Sequence, residues 1–231
     1  MEINKLEWDS QFFGFPVGDV FLENDFSESR VFNSDYFSFF QVRSRMPFDI
    51  ISDTHSLSYM ETKIIFYKVL KESTISEENI IDFDDSPFTD TSLFELAYES
   101  GKYSRYSQDK KVSEVNFKKL YQTWIRNSIN KSFADKIFYI KEKEYILGFV
   151  TVKIKNNEAQ IGLIAVLPNA QGNGLGKKLL QKTENYCFEN DVKTLQIPTQ
   201  SENILACKFY TKMGYKISEQ IIIKHYWKND F

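Results

Sequence analysis

The 231-residue sequence predicts an α+β fold, and three observations carry that reading. Strand-like runs at 136–141, 145–154 and 158–167 are separated by short turns, as three antiparallel strands in succession would be. A glycine-rich turn at 171–176 then joins the last run to a helix-patterned segment at 177–190. Finally, Ala206, Phe209, Tyr210 and Met213 recur at helical spacing, and Gly214 stands where a left-handed cap belongs. Two successive βα units thus sit at the centre of the chain.

Each element has a local cause. In the amino-terminal part, residues 17–22, 37–42 and 59–69 read as strands between polar turns. The interval 71–90 is acidic (Glu72, Glu77, Glu78, Asp82, Asp84, Asp85) and contains Pro87, so it reads as a connector with an exposed face. A boundary there divides the chain into a smaller amino-terminal α/β subdomain, 1–85, and a larger domain, 86–231. Val115, Leu120, Trp124, Ile125 and Ile129 fit an amphipathic helix between 113 and 132. The charged triplet Glu142-Lys143-Glu144 separates the first two strands of the larger domain. Asn156-Asn157 marks the next turn, because asparagine tolerates the positive φ a tight hairpin requires. A strand at 193–197 is expected to stop at Pro198, and a last strand covers 216–226.

Composition excludes several classes of function. A net charge of −3 argues against a nucleic-acid footprint. No window approaches the roughly 20 apolar residues of a membrane span, and Met-Glu-Ile-Asn-Lys lacks a signal-peptide core, so a cytoplasmic protein is expected. Cys187 and Cys207 are the only thiols and form no CxxC arrangement; they read as small buried hydrophobes. Only His55 and His225 could join them, too few for a convincing zinc site, and no metal is expected. The 21 Phe and 13 Tyr read chiefly as core volume rather than as sugar platforms.

Gln171-Gly172-Asn173-Gly174-Leu175-Gly176 is the most informative stretch. A strand feeding a glycine turn into a helix start gathers unpaired amides at the positive end of a dipole, which suits a pyrophosphate. A Walker loop would need Gly at Gln171 and Ser or Thr at Lys178, and a dinucleotide fingerprint would need Gly at Lys177. What remains is QxxGxG with Gln171, Gly174 and Gly176 in place. These residues resemble the acyl-CoA motif of the GNAT N-acetyltransferases. The segment from Asn203 through Ala206, Phe209 and Tyr210 to Gly214 and Tyr215 is similar to that superfamily's second hallmark, NxxAxxFYxxxGF. The resemblance implies the GNAT fold, with a central mixed, mostly antiparallel sheet flanked by helices, and acetyl-CoA or another short acyl-CoA as cofactor.

The opening Leu6-Glu7-Trp8-Asp9-Ser10-Gln11-Phe12-Phe13-Gly14 resembles the start of the TDP-fucosamine acetyltransferase family. Further similarity lies at 104–106, 121–125, 161–164, 199–203 and 226–227, whereas 26–56 and the full QGNGLG loop depart from that pattern. The resemblance implies acyl transfer to the amine of a dTDP-linked amino-6-deoxysugar, by a homodimer. It assigns the cofactor cradle to Gln171, Gly172, Asn173, Gly174, Leu175 and Gly176, with backbone contributions from Ile164 and Val166 on a splayed strand. Tyr210 becomes the general acid for the leaving thiolate. By itself a tyrosine on an apolar helical stripe reads as core, and only the two motifs together favour catalysis. A phenol remains protonated at neutral pH, near enough to a thiol to pass a proton on. A sugar amine titrates nearer an α-amino group than lysine, so direct attack needs no strong base.

Glu61 aligns with an acidic residue near the amine; it could take a proton through water or hold the ammonium, against the alternative of a solvent-facing strand residue. Arg105 is a candidate for the nucleotide diphosphate because its fork makes bidentate contacts, against that of a surface arginine. Asn203 could cap its helix, touch the pantetheine arm, or do both. Lys177 and Lys178 could meet CoA phosphates or simply be solvated. Two other functions compete: acetylation of another small-molecule or protein amine, and a non-catalytic acyl-CoA-binding module.

Overall fold

The computed structural model describes residues 3–23, 30–71 and 80–230. Strands β1 (Asn4–Lys5) and β2 (Val17–Leu22) flank helix α1 (Glu7–Phe13). Ser10 ties this opening together: its hydroxyl donates to Leu6 O (2.7 Å) and accepts from the Val17 amide (2.9 Å). Gly14 ends the helix at φ 79°, the left-handed region glycine enters without steric cost. Strands β3 (Arg30–Val31), β4 (Phe39–Ser44), β5 (Ile50–Ile51), the long β6 (His55–Val69) and β7 (Ile80–Asp82) follow. Helices α2 (Phe94–Gly101), α3 (Arg105–Gln108) and α4 (Glu114–Ile129) lead into the meander β8 (Lys136–Glu142), β9 (Tyr145–Lys155) and β10 (Glu158–Val166). The chain closes with α5 (Leu175–Glu189), β11 (Thr194–Gln200), α6 (Ile204–Lys212) and β12 (Lys216–Lys228).

Ten strands form one sheet in the order β1-β2-β4-β12-β6-β11-β10-β9-β8-β7. Only β2/β4 and β10/β11 are parallel within it, so the sheet is mixed and mostly antiparallel. Strands from both sides of residue 85 alternate in it: β6 lies between β11 and β12, and β7 borders β8. Glu72, Glu77 and Glu78 of the acidic connector lie outside the described residues, while Ile80–Asp82 from the same interval pairs with β8.

The turns form for local reasons. Asn156 and Asn157 both have positive φ (52° and 62°), the pair of left-handed residues that a type I′ hairpin needs, and Lys143 (φ 54°) sits in the preceding turn. On one face of the meander Leu179, Leu180 and Cys187 of α5 pack on Phe138, Val150 and Val152. On the other, Leu96 and Ala97 of α2 and Leu120 and Ile125 of α4 pack on Tyr139, Phe149 and Leu163. Complete burial of each of these leucines contributes about 1.5–3 kcal/mol. Tyr215, the terminal aromatic of the second motif, is part of the α5 core, and its hydroxyl donates to Glu184 Oε1 (2.8 Å) while Lys68 pairs with Glu184 Oε2 (2.8 Å). Among the described residues no helix is long and apolar enough to cross a membrane.

Candidate active site

The site begins where β10 leaves β11. The two strands pair only through Glu158↔Thr194, Ala159↔Leu195 and Gln160↔Gln196. Immediately afterwards β10 bulges against β9, its register passing from Ile161↔Val152 to Ile164↔Val150. Gly162 and Leu163 share that interval, and Thr151 Oγ1 accepts the Leu163 N–H (2.9 Å) that a regular ladder would give to a carbonyl. A Cβ on Gly162 would stand 2.9 Å from the same oxygen, so the bulge needs glycine there. A bulge bends its strand and increases the twist, which here accompanies the divergence of β10 from β11.

Pro198 belongs to this opening and does not end its strand as expected. β11 runs through it to Gln200, with Pro198 paired to Ile65 and Thr199 to Ile64. Ser201 donates to Thr62 O (2.9 Å), so by the alternation of the ladder the nitrogen of Pro198 points away from β6, into the gap. A missing donor costs nothing on that side. A cavity of about 960 Å³ occupies the gap. Leu205, Ala206, Phe209 and Tyr210 line it from α6, and Ser100, Tyr103, Arg105 and Tyr121 from the α2–α4 side, so it passes through the sheet.

On the β10 edge, Leu163 donates to Thr151 and Leu167 to Leu147 O (2.8 Å), both towards β9. The intervening Ile164 and Val166 amides therefore face the gap. Ser100 Oγ takes the Ile164 N–H at 3.3 Å, and the Val166 carbonyl accepts from Gln171 Nε2 (3.0 Å). Gln171 thereby anchors the loop to the strand and also reaches Glu99 Oε1 (3.3 Å).

The loop that follows is built from two left-handed glycines, Gly172 (φ 82°) and Gly174 (φ 77°). Gly174 is the cap of α5, which starts at Leu175, two residues earlier than the periodicity suggested. Neither a side chain nor a carbonyl among the described residues accepts from the amides of Gly172, Asn173, Gly174, Leu175, Gly176 or Lys177. Six adjacent donors at the amino end of a fifteen-residue helix suit a pyrophosphate. Gly172, Gly174, Leu175 and Gly176 line the cavity, whereas Asn173 turns its Nδ2 back to Ala170 O (3.3 Å).

From α6, Tyr210 lines the cavity beside the aromatic rings of Phe66 and Phe209. Its hydroxyl has no hydrogen-bond partner among the described residues, and burial pushes its pKa above that of an ordinary phenol. Asn203 caps α6, accepting the Ala206 N–H at 3.2 Å, and also lines the cavity.

Across the sheet, Glu61 is only 1% exposed, which removes the solvent-facing alternative. Oε2 accepts from Tyr59 Oη (3.3 Å), Arg105 Nη1 stands 3.7 Å from Oε1, and Oε1 itself makes no hydrogen bond. Burial raises the carboxyl pKa, with Arg105 opposing. Arg105 lines the cavity and its guanidinium is partly engaged: Nη2 donates to Tyr106 Oη (3.1 Å) and the group lies over the Tyr106 ring, while its buried Nε has no partner among the described residues. Tyr106 in turn donates to Asp9 Oδ1 (3.3 Å), which brings the unusual opening segment to this side of the cavity.

Sequence reasoning missed a buried group nearby. Asp109 Oδ2 accepts from Ser58 Oγ (3.0 Å) and Trp227 Nε1 (2.9 Å) and stands 2.8 Å from His225 Nδ1. Burial favours the neutral Asp109 carboxyl, but the His225 and Trp227 hydrogen bonds outweigh it and lower the pKa. Burial pulls His225 down to about 4, so its ring is neutral, donates Nδ1–H to Asp109 and leaves Nε2 unpartnered. The ring lies against Tyr59, whose hydroxyl meets Glu61. No local pattern links Asp109 to His225; Asp109 follows α3, which packs on β6, and β6 pairs with the β12 strand that carries His225.

The cavity thus passes through the sheet, with an unsatisfied amide cradle on one side and, on the other, Arg105 beside the buried Glu61 carboxylate, which does not itself line it. The acetyltransferase (GNAT) family profile matches residues 94–215, more than half of the chain, and the chain belongs to that family, whose members use acetyl-CoA. It is 27% identical over 135 residues to the spore coat polysaccharide biosynthesis protein SpsD of Bacillus subtilis, covering 58% of this chain and 46% of that protein. It is 29% identical over 101 residues to the dTDP-fucosamine acetyltransferase of Escherichia coli, covering 43% of this chain and 42% of that protein. The chain spans about half the length of the curated relatives it matches. A GCN5-related N-acetyltransferase from Sphaerobacter thermophilus shares the fold, with a TM-score of 0.54 at 13% identity over 81% of this chain and 60% of that one.

Proposed function

We propose that this protein moves an acetyl or other short acyl group from CoA to the amine of a dTDP-linked amino-6-deoxysugar, acting as a cytoplasmic homodimer. The observation that carries the reading is the unsatisfied amide run at 172–177, which opens on the same cavity as Tyr210. Similarity to proteins named for polysaccharide biosynthesis and for dTDP-fucosamine acetylation supports a sugar acceptor. Residues 1–85 supply Glu61 and the α1 contact to Tyr106, which supports a share for them in the acceptor site.

The thioester supplies an activated acyl carbon. The amides of 172–177 hold the pyrophosphate, and the gap between β10 and β11 admits the pantetheine arm. Val166 N–H faces that gap as a donor for charge growing on the carbonyl oxygen. Tyr210 holds a proton at Oη for the departing sulfur, and burial keeps that proton in place at neutral pH. Glu61 does not itself line the cavity; its unpartnered Oε1, 3.7 Å from the cavity-lining Arg105, is the acceptor this reading assigns to the attacking amine. Thiol release from acetyl-CoA, measured across dTDP- and UDP-amino sugars, aminoglycosides, polyamines and peptides, tests the acceptor. Tyr210→Phe should lower turnover by about a hundredfold or more with CoA affinity unchanged. Unchanged turnover removes Tyr210 from the mechanism, and turnover confined to a non-sugar amine overturns the acceptor.

A further inference from the structure

Lys63 is a cation without an anion. It shares the β6 face of Tyr59 and Glu61, lines the cavity, and its Nζ makes no hydrogen bond or ion pair among the described residues. Its arginine neighbours each have a carboxylate partner. Arg105 faces Glu61 (3.7 Å), Arg43 Nε is held by Asp19 Oδ1 (2.6 Å), and Arg45 pairs with Glu219 (2.6 Å). Lys63 has no such partner at contact distance, although the Glu61 and Glu219 carboxylates act on it at longer range. Burial followed by the Arg105 charge lowers the ammonium's pKa, and Arg43 acts in the same direction. A largely desolvated, unpaired ammonium is costly, and an anion brought by a ligand would offset that cost.

We propose that Lys63 is the anion anchor of the acceptor site, binding a phosphate of the acceptor's diphosphate about one sugar ring away from the amine at Glu61. The inference rests on the nucleotide-sugar reading and adds a residue to it. Lys63 and Glu61 lie two positions apart on one strand face, about 7 Å along the chain, so the acceptor must carry its negative charge close to its nucleophile. A glycosyl diphosphate does so. A polyamine would be repelled by Lys63, and a peptide amino terminus carries no fixed anion at that distance. Arg105, the sequence-based candidate for the diphosphate, donates to Tyr106 and faces Glu61 at 3.7 Å, with its buried Nε unpartnered, whereas Lys63 on the same side of the sheet has no partner at contact distance among the described residues.

Calorimetric titration of CoA-saturated protein with dTDP, thymidine and inorganic pyrophosphate tests this, since saturation fills the amide cradle first. Wild type should bind dTDP at least about tenfold more tightly than thymidine, and Lys63→Met should remove about that factor for dTDP and pyrophosphate alike. Thymidine and CoA affinities should not move, Lys63→Arg should recover most of the loss, and the thermal midpoint of Lys63→Met verifies that it folds. Equal dTDP binding by wild type and Lys63→Met overturns the anchor and leaves the nucleotide-sugar reading standing. Lys63-dependent pyrophosphate binding that dTDP does not improve supports the anchor and overturns the nucleotide. Failure of both anions to bind wild type overturns the anchor.

Discussion

Acid should destabilise this protein through His225. The imidazole is fully buried, with Nδ1 2.8 Å from Asp109 Oδ2 and with Phe39 and Tyr59 against its ring. Burial holds its pKa down to about 4, with Arg105 adding to the depression and Asp109 opposing it, against 6.5 for an ordinary histidine. Between those two values the unfolded chain binds a proton that the folded chain refuses, so folding stability rises with pH across the window. The difference is worth roughly 3 kcal/mol, a large part of the 5–15 kcal/mol typical of a domain. His55, also lowered by burial, acts in the same direction. Glu61 acts oppositely, since its raised pKa makes the folded state take up a proton first above the ordinary carboxylate range. The lowered Asp109 pKa has its effect beneath the ordinary 3.8, where its contribution is lost as pH falls. Urea unfolding followed by tryptophan fluorescence at neutral pH and near pH 4.5, in wild type and His225→Gln, isolates the term. Wild type should lose roughly 2 kcal/mol more than the variant between the two conditions, the part of the full difference that falls above pH 4.5. Equal losses would refute the claim that His225 is held neutral.

The two remaining predictions concern the glycine loop and the buried carboxylate beside Arg105. Gly174→Ala meets no atom within 4 Å, so its cost is the backbone's alone at φ 77°, about 1–2 kcal/mol. CoA affinity by calorimetry should fall about tenfold while the thermal midpoint of the ligand-free protein shifts by only a few degrees. Glu61→Gln should lower kcat by about a hundredfold and abolish the acid limb of its pH profile. That limb should lie above the ordinary carboxylate range, because burial raises Glu61.

The local conformations were legible. Gly172 and Gly174 stand where φ is positive, Asn156-Asn157 where a hairpin must turn, Asn203 where a helix needs a cap, and Gly214 (φ 84°) where one ends. Each of these depends on residues only a few positions apart, so a linear reading captures them. Pro198 misled for an instructive reason. A proline ends a strand when its nitrogen faces a partner, and whether one exists depended on where β10 went.

The sequence by itself determined a glycine turn that leaves amides free, the helix it opens, and the tyrosine-bearing helix that follows. Tertiary structure alone decided that β6 enters between β11 and β12, which buries Glu61 and leaves Lys63 unpaired on the cavity, and that α3 packs on β6, which brings Asp109 to His225. The physical reason is range: dihedral preferences act between neighbours in the chain, whereas burial and charge pairing act between residues that only the sheet's strand order makes neighbours.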